Sequence, residues 1–511
     1  SPITPFNGPF NAPKNPDRGN FDHCLNFLLP TNWIDGDVSL YAVVNPGRTV
    51  QEKDYDNNRY PSSGYLSLSF KPVETLRIRF VPIAWNCDPN NIIRPNTNTA
   101  ELSYYVRATY PVSQRDWALD SELQFCSSTG RLDTDGAWGE LLNALEGRGD
   151  GQTYFYGLVS PDPDIDRCYT DPQQGDLCYG GMGQTPGYVS AGVYTPSRRA
   201  GETFAEELGH NFGRWHAPTA AICNPDPRPD TVDRDWPQDA AHANGRIGEY
   251  GLDVVGQQVW PPTTPDFMGY CSNEWVSDYT YGHLYDDTLK ASVSAMTQGQ
   301  ADTLLRPGIS LSGVIEQGGK VGRLSPVYRM QALVVEGEGK GEYSIELVGS
   351  KGDTLKTYYF DPIPVIAQDE TPQPDSDTLG FSFNLPAVEG VTAIRLKYGA
   401  EVLHELSPGP KAPQLRVLSP LGLKGRVSSQ TVELTWSASD QDGDEISYMV
   451  RYSPDGGQTW RTVGVNLPQP TLGLDLSRLG GTEEGLIQVL ASDGVNTEVA
   501  MLGPFAVGRK V

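Results

Sequence analysis

This 511-residue chain contains no apolar run long enough to cross a bilayer, so a transmembrane segment is not expected. It contains no Cys-x-x-Cys pair, which argues against a cysteine-built zinc site. Positive charge is scarce. Lys plus Arg number 39 against 64 Asp plus Glu, a formal net charge of −25. A chain this acidic repels phosphate backbones and anionic lipid, so neither nucleic acid nor an anionic membrane is expected as its main partner. Ser1-Pro2-Ile3-Thr4-Pro5 carries no signal-peptide pattern, so a secreted protein would be present here in trimmed form. No long internal repeat occurs, which argues against a solenoid. Of the six histidines, His23, His283 and His404 carry no partner spacing.

Gly (55) and Pro (41) are plentiful, which suits β-sandwiches around a loop-rich enzyme. The length exceeds one ordinary core and implies three or four domains. The seven dispersed cysteines read as disulfides of an oxidising compartment, with one left over. Cys168 with Cys178 would close a short loop, and Cys223 with Cys271 would join two distant segments. Spacing alone does not fix the connectivity.

The most informative segment is Glu206-Glu207-Leu208-Gly209-His210-Asn211-Phe212-Gly213-Arg214-Trp215-His216. It matches H-E-x-x-H-x-x-G-x-x-H except that Glu206 stands at the first histidine. Residues 206 and 210 share one helix face. Gly213 can adopt positive φ and stop the helix, and the returning chain brings His216 as a third ligand. Three protein ligands plus a water make an open catalytic zinc site, with Glu207 beside the water. About fifty residues on, Asp266-Phe267-Met268-Gly269-Tyr270-Cys271 follows. Together these segments resemble the secreted bacterial-type metzincin zinc peptidases, reprolysin-like members in particular, whose Met-turn passes beneath the metal. Phe204-Ala205, His216-Ala217-Pro218, the stretch from Ile247 to Asp253 and Trp275-Val276-Ser277-Asp278-Tyr279 extend the likeness, which covers roughly residues 75–305. The resemblance implies one zinc on Glu206, His210 and His216, Glu207 as general base, and Met268 packed beneath the metal. Tyr270 is either a fifth ligand or oxyanion stabiliser, or a buried structural tyrosine. It also implies a protein or peptide substrate and an extracellular or cell-surface location.

The expected fold class is an α+β metzincin-like protease domain flanked by all-β sandwich modules. The boundaries are 1–72 (an N-terminal, Ig-like, partial sandwich), 73–306 (the protease domain), 307–410 (a β-sandwich) and 411–511 (a module resembling Ig-like or fibronectin type III domains). Thr75–Ile83 alternates as a first strand, Trp138–Leu145 reads as a helix, and Gly187–Val193 as the edge strand against which substrate pairs. Asp287–Leu305 has helical spacing, and Gln368–Asp377 reads as a polar loop.

Other segments carry weaker chemistry. Asp162, Asp164 and Asp166 are candidate calcium ligands, whereas Asp440, Asp442 and Asp444 read as a solvated turn. Ser453–Trp460 matches a single Asp-box, a hairpin device and not a glycosidase signature. His242 reads as an ordinary loop residue and less readily as a replacement ligand. Because Glu206 puts a carboxylate where an imidazole is expected, the alternative to an active peptidase is an inactive pseudoprotease serving as a binding or structural protein. A subunit of an extracellular assembly built through exposed strand edges is a third reading.

Overall fold

The computed structural model describes residues 2–8, 13–113, 115–148, 151–171, 175–219, 221–223, 231–289, 305–316, 319, 321–332, 334, 341–369, 378–420, 425–427, 431–476, 479 and 482–507. The fold is α+β, β-dominated and built from several sheets.

The central sheet starts from β1 (Leu76–Trp85), whose alternate residues serve opposite faces. Ile78 and Phe80 join one apolar cluster, while Val81, Ile83 and Trp85 join another. Parallel neighbours flank β1: β2 (Arg115–Leu119) and β3 (Leu123–Phe125) on one side, β4 (Tyr154–Val159) on the other. After the hairpin of β5 (Cys168–Asp171) and β6 (Gly175–Gln184) comes β7 (Val189–Val193), which is parallel to β4. β6 then adds antiparallel to β7. Strands buried on both faces need helices above and below. Helix α1 (Ala100–Thr109) and helix α3 (Arg198–Asn211) cover one face, through Leu102, Tyr105, Val106, Phe204 and Leu208. Helix α2 (Asp135–Glu146), capped by Thr134, covers the other through Trp138, Leu141 and Leu145.

This order corrects the expected edge strand. Val189–Val193 is interior, with partners on both sides, and β6 lies outside it. Both strands are glycine-bearing, and which one is outermost depends on pairing that local sequence does not encode.

Beyond this unit, β8 (Arg306–Glu316) pairs with Val321–Leu324 and Tyr328–Ala332 on one side. It faces a four-stranded antiparallel sheet of Thr354–Phe360, Tyr343–Gly349, Val391–Tyr398 and Glu401–Leu406. Ile309, Leu311, Ile345, Leu347, Phe381 and Leu396 fill the space between. Residues 414–507 form a second pair of sheets around Leu434, Trp436, Val450, Ile487 and Phe505. Strands of these β-modules also pair with the central sheet. Strand β9 (Ile363–Asp369) pairs with β10 (Leu379–Pro386) through its first two residues, then runs antiparallel along β6. Gly464 and Val465 pair parallel with Gln124 and Phe125 of β3. Tyr328, Met449, Val465 and Leu490 pack into the apolar cluster around α2.

Three further expectations differ from the structure. Residues before 73 form two two-stranded ladders, Asp37–Leu40 with Leu66–Ser69 and Ala42–Val43 with Arg59–Tyr60, not a sandwich. Among the described residues there, Phe21 is the one buried large apolar side chain, while Leu28, Tyr41, Val44 and Tyr65 are exposed. The turn-forming sequence offers too few alternating apolar residues to fill a core. Gln368 and Asp369 lie in β9 and not in a loop; the remainder of that expected loop, residues 370–377, is outside the described residues. Of the expected helix at 287–305, a π-helical turn Leu284–Leu289 is described and 290–304 lie outside the described residues.

Three disulfides join Cys87–Cys126, Cys168–Cys178 and Cys223–Cys271, leaving Cys24. Cys168 and Cys178 are direct cross-strand partners of the β5–β6 hairpin. Among the described residues, no helix is long and apolar enough to span a membrane.

Candidate metal centre

Helix α3 starts where the Ser197 hydroxyl accepts the Ala200 N–H. It ends where Gly213, at φ +79°, turns the chain so that the Arg214 N–H bonds the Gly209 carbonyl at 2.9 Å. That turn sets the Arg214 carbonyl 2.7 Å from His210 Nδ1. Nδ1–H therefore donates, and the lone pair sits on Nε2, a buried atom with no hydrogen-bond partner. Past the turn, the His216 N–H bonds the Thr231 carbonyl and its own carbonyl accepts the Asp233 N–H. Thr231 Oγ1 lies 2.8 Å from His216 Nδ1, which turns Nε2 inward to 3.5 Å from Glu206 Oε1. The two imidazoles stand nearly perpendicular at 86° with centroids 4.8 Å apart.

Glu206, His210 and His216 are each 0% exposed and bring one ligand atom apiece within 4.8 Å of one another. The 3.5 Å separation is close to the edge, about 3.3 Å, of a tetrahedron with zinc-length bonds. The donor set, two imidazoles and a carboxylate around an unpartnered buried nitrogen, is one that could hold a metal ion.

The electrostatics agree. Burial pushes the Glu206 carboxyl well above its ordinary range; Arg199 opposes this, while Asp266 and Glu202 add to it. Burial lowers His210 to about 4 against the opposing bond to the Arg214 carbonyl, so its imidazole is neutral at physiological pH. Glu274 is raised well above its range by burial and then by Glu206. Arg199 donates to the Cys271 carbonyl at 2.7 Å and lies 3.9 Å from both Glu202 and Glu274. A cation among these groups would satisfy charge that the protein otherwise suppresses.

Glu207, also fully buried, lies against β6. A Cβ on Gly181 would fall 2.5 Å from its Oε1, and one on Gly183 would fall 3.0 Å from its Oε2 and 2.8 Å from its backbone oxygen. The two glycines thus let the strand close directly over the carboxylate. Asn211 locks this arrangement, donating to the Gln184 and Val189 carbonyls and accepting from Ser190 Oγ.

Beneath the helix, Met268 packs its sulfur against Gly209, where any Cβ would collide with it. Asp266 holds that turn by accepting the Met268 and Ser277 N–H groups. Tyr270 sets its ring 4.6 Å from that of His216 at 69°. No family model matches the chain, and no curated protein matches it.

The remaining candidates lie elsewhere. Asp162, Asp164 and Asp166 are not brought together as a metal cluster among the described residues. Asp162 caps a short turn, Asp164 reaches Asn91, and Asp166 pairs with Arg131 at 2.9 Å. Alternating aspartates on a tight turn diverge. Asp440, Asp442 and Asp444 do gather, but Asp440 accepts three N–H groups of its own turn while Asp442 and Asp444 accept N–H groups of Lys411 and Gly409. His242 is clamped between Asp239 and Asp278. The Asp-box forms the turn between Ser447–Ser453 and Arg461–Val465, where Ser453 and Asp455 collect the turn's N–H groups. Gly181, Gly183, Asn211, Thr231 and Glu274 had no sequence assignment. For the glycines the signal was present in Gly180-Gly181-Met182-Gly183, three glycines within one strand, which marks a close approach.

Proposed function

We propose that this chain is a secreted, zinc-dependent metalloendopeptidase of the metzincin type in which Glu206 stands in for a ligand histidine. The observation that carries this reading is the buried convergence of Glu206, His210 and His216 around the unpartnered His210 Nε2. In it, the unit at 73–306 is the peptidase, the β-modules that follow are accessory, and the three disulfides fit an extracellular setting.

Glu206, His210 and His216 hold the ion. Zinc, when bound, supplies the positive charge that acidifies a water and polarises a carbonyl. Glu207 takes the water proton on its carboxylate and returns it to the leaving amine. Tyr270, beside His216, orients that ligand and offers a phenol toward developing oxyanion charge. The carbonyl of Arg214 and the hydroxyl of Thr231 fix the two imidazoles, as outer-shell partners of ligand histidines do. The anionic ligand dilutes the positive charge, so turnover is slower than with three imidazoles.

Elemental analysis of the full chain tests this. About one zinc per chain is expected. Glu206→His should raise cleavage of an unfolded protein by about tenfold, one pKa unit of the water, and adding Glu207→Gln should return it to background. A chain that takes up no zinc refutes the metal assignment. A zinc-loaded Glu206→His variant that cleaves nothing replaces the peptidase reading with the pseudoprotease one.

A further inference from the structure

Since β7 fills one edge of β6, an extended chain could lie alongside the backbone that covers Glu207 at the other, outer edge. That edge is filled. Strand β9 runs antiparallel along it with Gln368 opposite Gly181, Ala367 opposite Met182, Ile366 opposite Gly183 and Val365 opposite Gln184. The Thr185 N–H bonds the Pro364 carbonyl at 3.0 Å and extends the ladder by one step. The positions opposite Gly181 and Gly183 are therefore one strand spacing, about 4.8 Å, from the backbone packed on the catalytic-type carboxylate.

β9 is also an odd member of its own module. Its pairing with β10 is confined to Ile363 and Pro364, whereas residues 365–369 take their pairing from β6. It leaves one sheet to serve another, which is β-augmentation within a single chain. Its sequence, Asp361-Pro362-Ile363-Pro364-Val365-Ile366-Ala367-Gln368-Asp369, is that of an extended peptide. The prolines hold the preceding residues extended, and Val and Ile favour strand. A strand with a ladder along mainly one side is an element that opens locally without unfolding the rest.

We propose that β9 is a built-in occupant of the peptide-binding edge: it holds the cleft closed by lying where an extended peptide would lie, and a peptide binds only when residues 365–369 lift away. The nature of the incoming chain rests on the peptidase reading; the occupancy of the edge does not.

The test uses the full chain and fluorescein-labelled peptides from unfolded casein. Ile366→Pro and Ala367→Pro are made separately. Successive residues of an antiparallel strand point their N–H groups to opposite sides, so one of the two removes a bond to β6. At least one variant should bind the peptides about tenfold or more tightly, as when an open state populated at a tenth or less becomes dominant. Zinc content should not change. In the native chain, saturating peptide should speed hydrogen exchange at 365–369 while 181–184 stay protected, a measurement that decides the matter even if a proline variant fails to fold. Variants that expose 181–184 to exchange yet bind peptide no better would overturn the proposal, as would native chain that binds peptide with 365–369 still protected. A chain that responds to proline but holds no zinc keeps this proposal and removes the peptidase one. A zinc-loaded, proteolytically active chain indifferent to both prolines does the reverse.

Discussion

Glu146 closes helix α2 half-buried, with a single described hydrogen bond, from Gln184 Nε2 to Oε2 at 3.2 Å. Burial raises its pKa from 4.5 to about 7, and the Gln184 bond offsets only part of this. The native state therefore binds a proton more tightly than the unfolded chain. The sign follows: between pH 4.5 and 7 stability falls as pH rises, and above 7 the full penalty is present. Moving from 4.5 to about 7, at about 1.36 kcal/mol per tenfold change in proton affinity, gives about 3 kcal/mol as an upper figure. Glu146→Gln keeps the shape and the acceptor for Gln184 but never ionises. It should therefore raise the thermal midpoint at pH 8 by several degrees, using roughly 2–4 °C per kcal/mol for a unit of this size. At pH 4.5 the variant and the native chain should melt together. Differential scanning calorimetry at pH 4.5, 6, 7 and 8 measures the difference. If the variant melts below the native chain at pH 8, or if the gap does not shrink toward acid, then the carboxyl is not held neutral by burial and the reasoning fails.

Two other outcomes are expected. Gly183→Ala should lose about 1–3 kcal/mol through overpacking, because its Cβ meets the Glu207 backbone oxygen and the His210 Cβ, whereas Gly473→Ala, with open space around it, should melt like the native chain; equal melting of the two would refute the close approach of β6 to α3. For His242, burial alone lowers the pKa, but the bonds to Asp278 and Asp239 more than reverse it, leaving it raised. That stabilisation is complete below the unfolded value, about 6.5, and is lost as pH rises through the folded one, so amides 239–248 of the native chain should exchange more slowly than those of a His242→Gln control at pH 6, with the difference vanishing at high pH; a pH-independent difference would remove His242 as the source.

The site was more legible than its surroundings, for a physical reason. Helix spacing places Glu206 and His210 on one face, and a glycine of positive φ turns the chain back. These are local rules, and Gly213 follows them. The Cys168–Cys178 and Cys223–Cys271 pairs form as expected, although spacing alone did not fix them. What failed was non-local. Val189–Val193 and Gly175–Gln184 differ in role because of which strands arrive beside them, and one of those arrives from residue 363 onward. The aspartates at 162–166 satisfied a composition rule but not a geometric one, since a tight turn spends their carboxylates on capping and on Arg131.

The pairing of β6 with β9 has a consequence for synthesis on the ribosome. About 185 residues separate Gln184 from Asp369, which at 5–20 residues per second is roughly 10–40 s of translation. Throughout that interval the central sheet has all its own strands but lacks the one that covers its outer edge. The nascent chain thus passes through a stage with an uncovered strand edge on the backbone that packs against Glu207, open to any extended segment nearby. The order in which the segments emerge, and not only their final contacts, sets what that edge meets first.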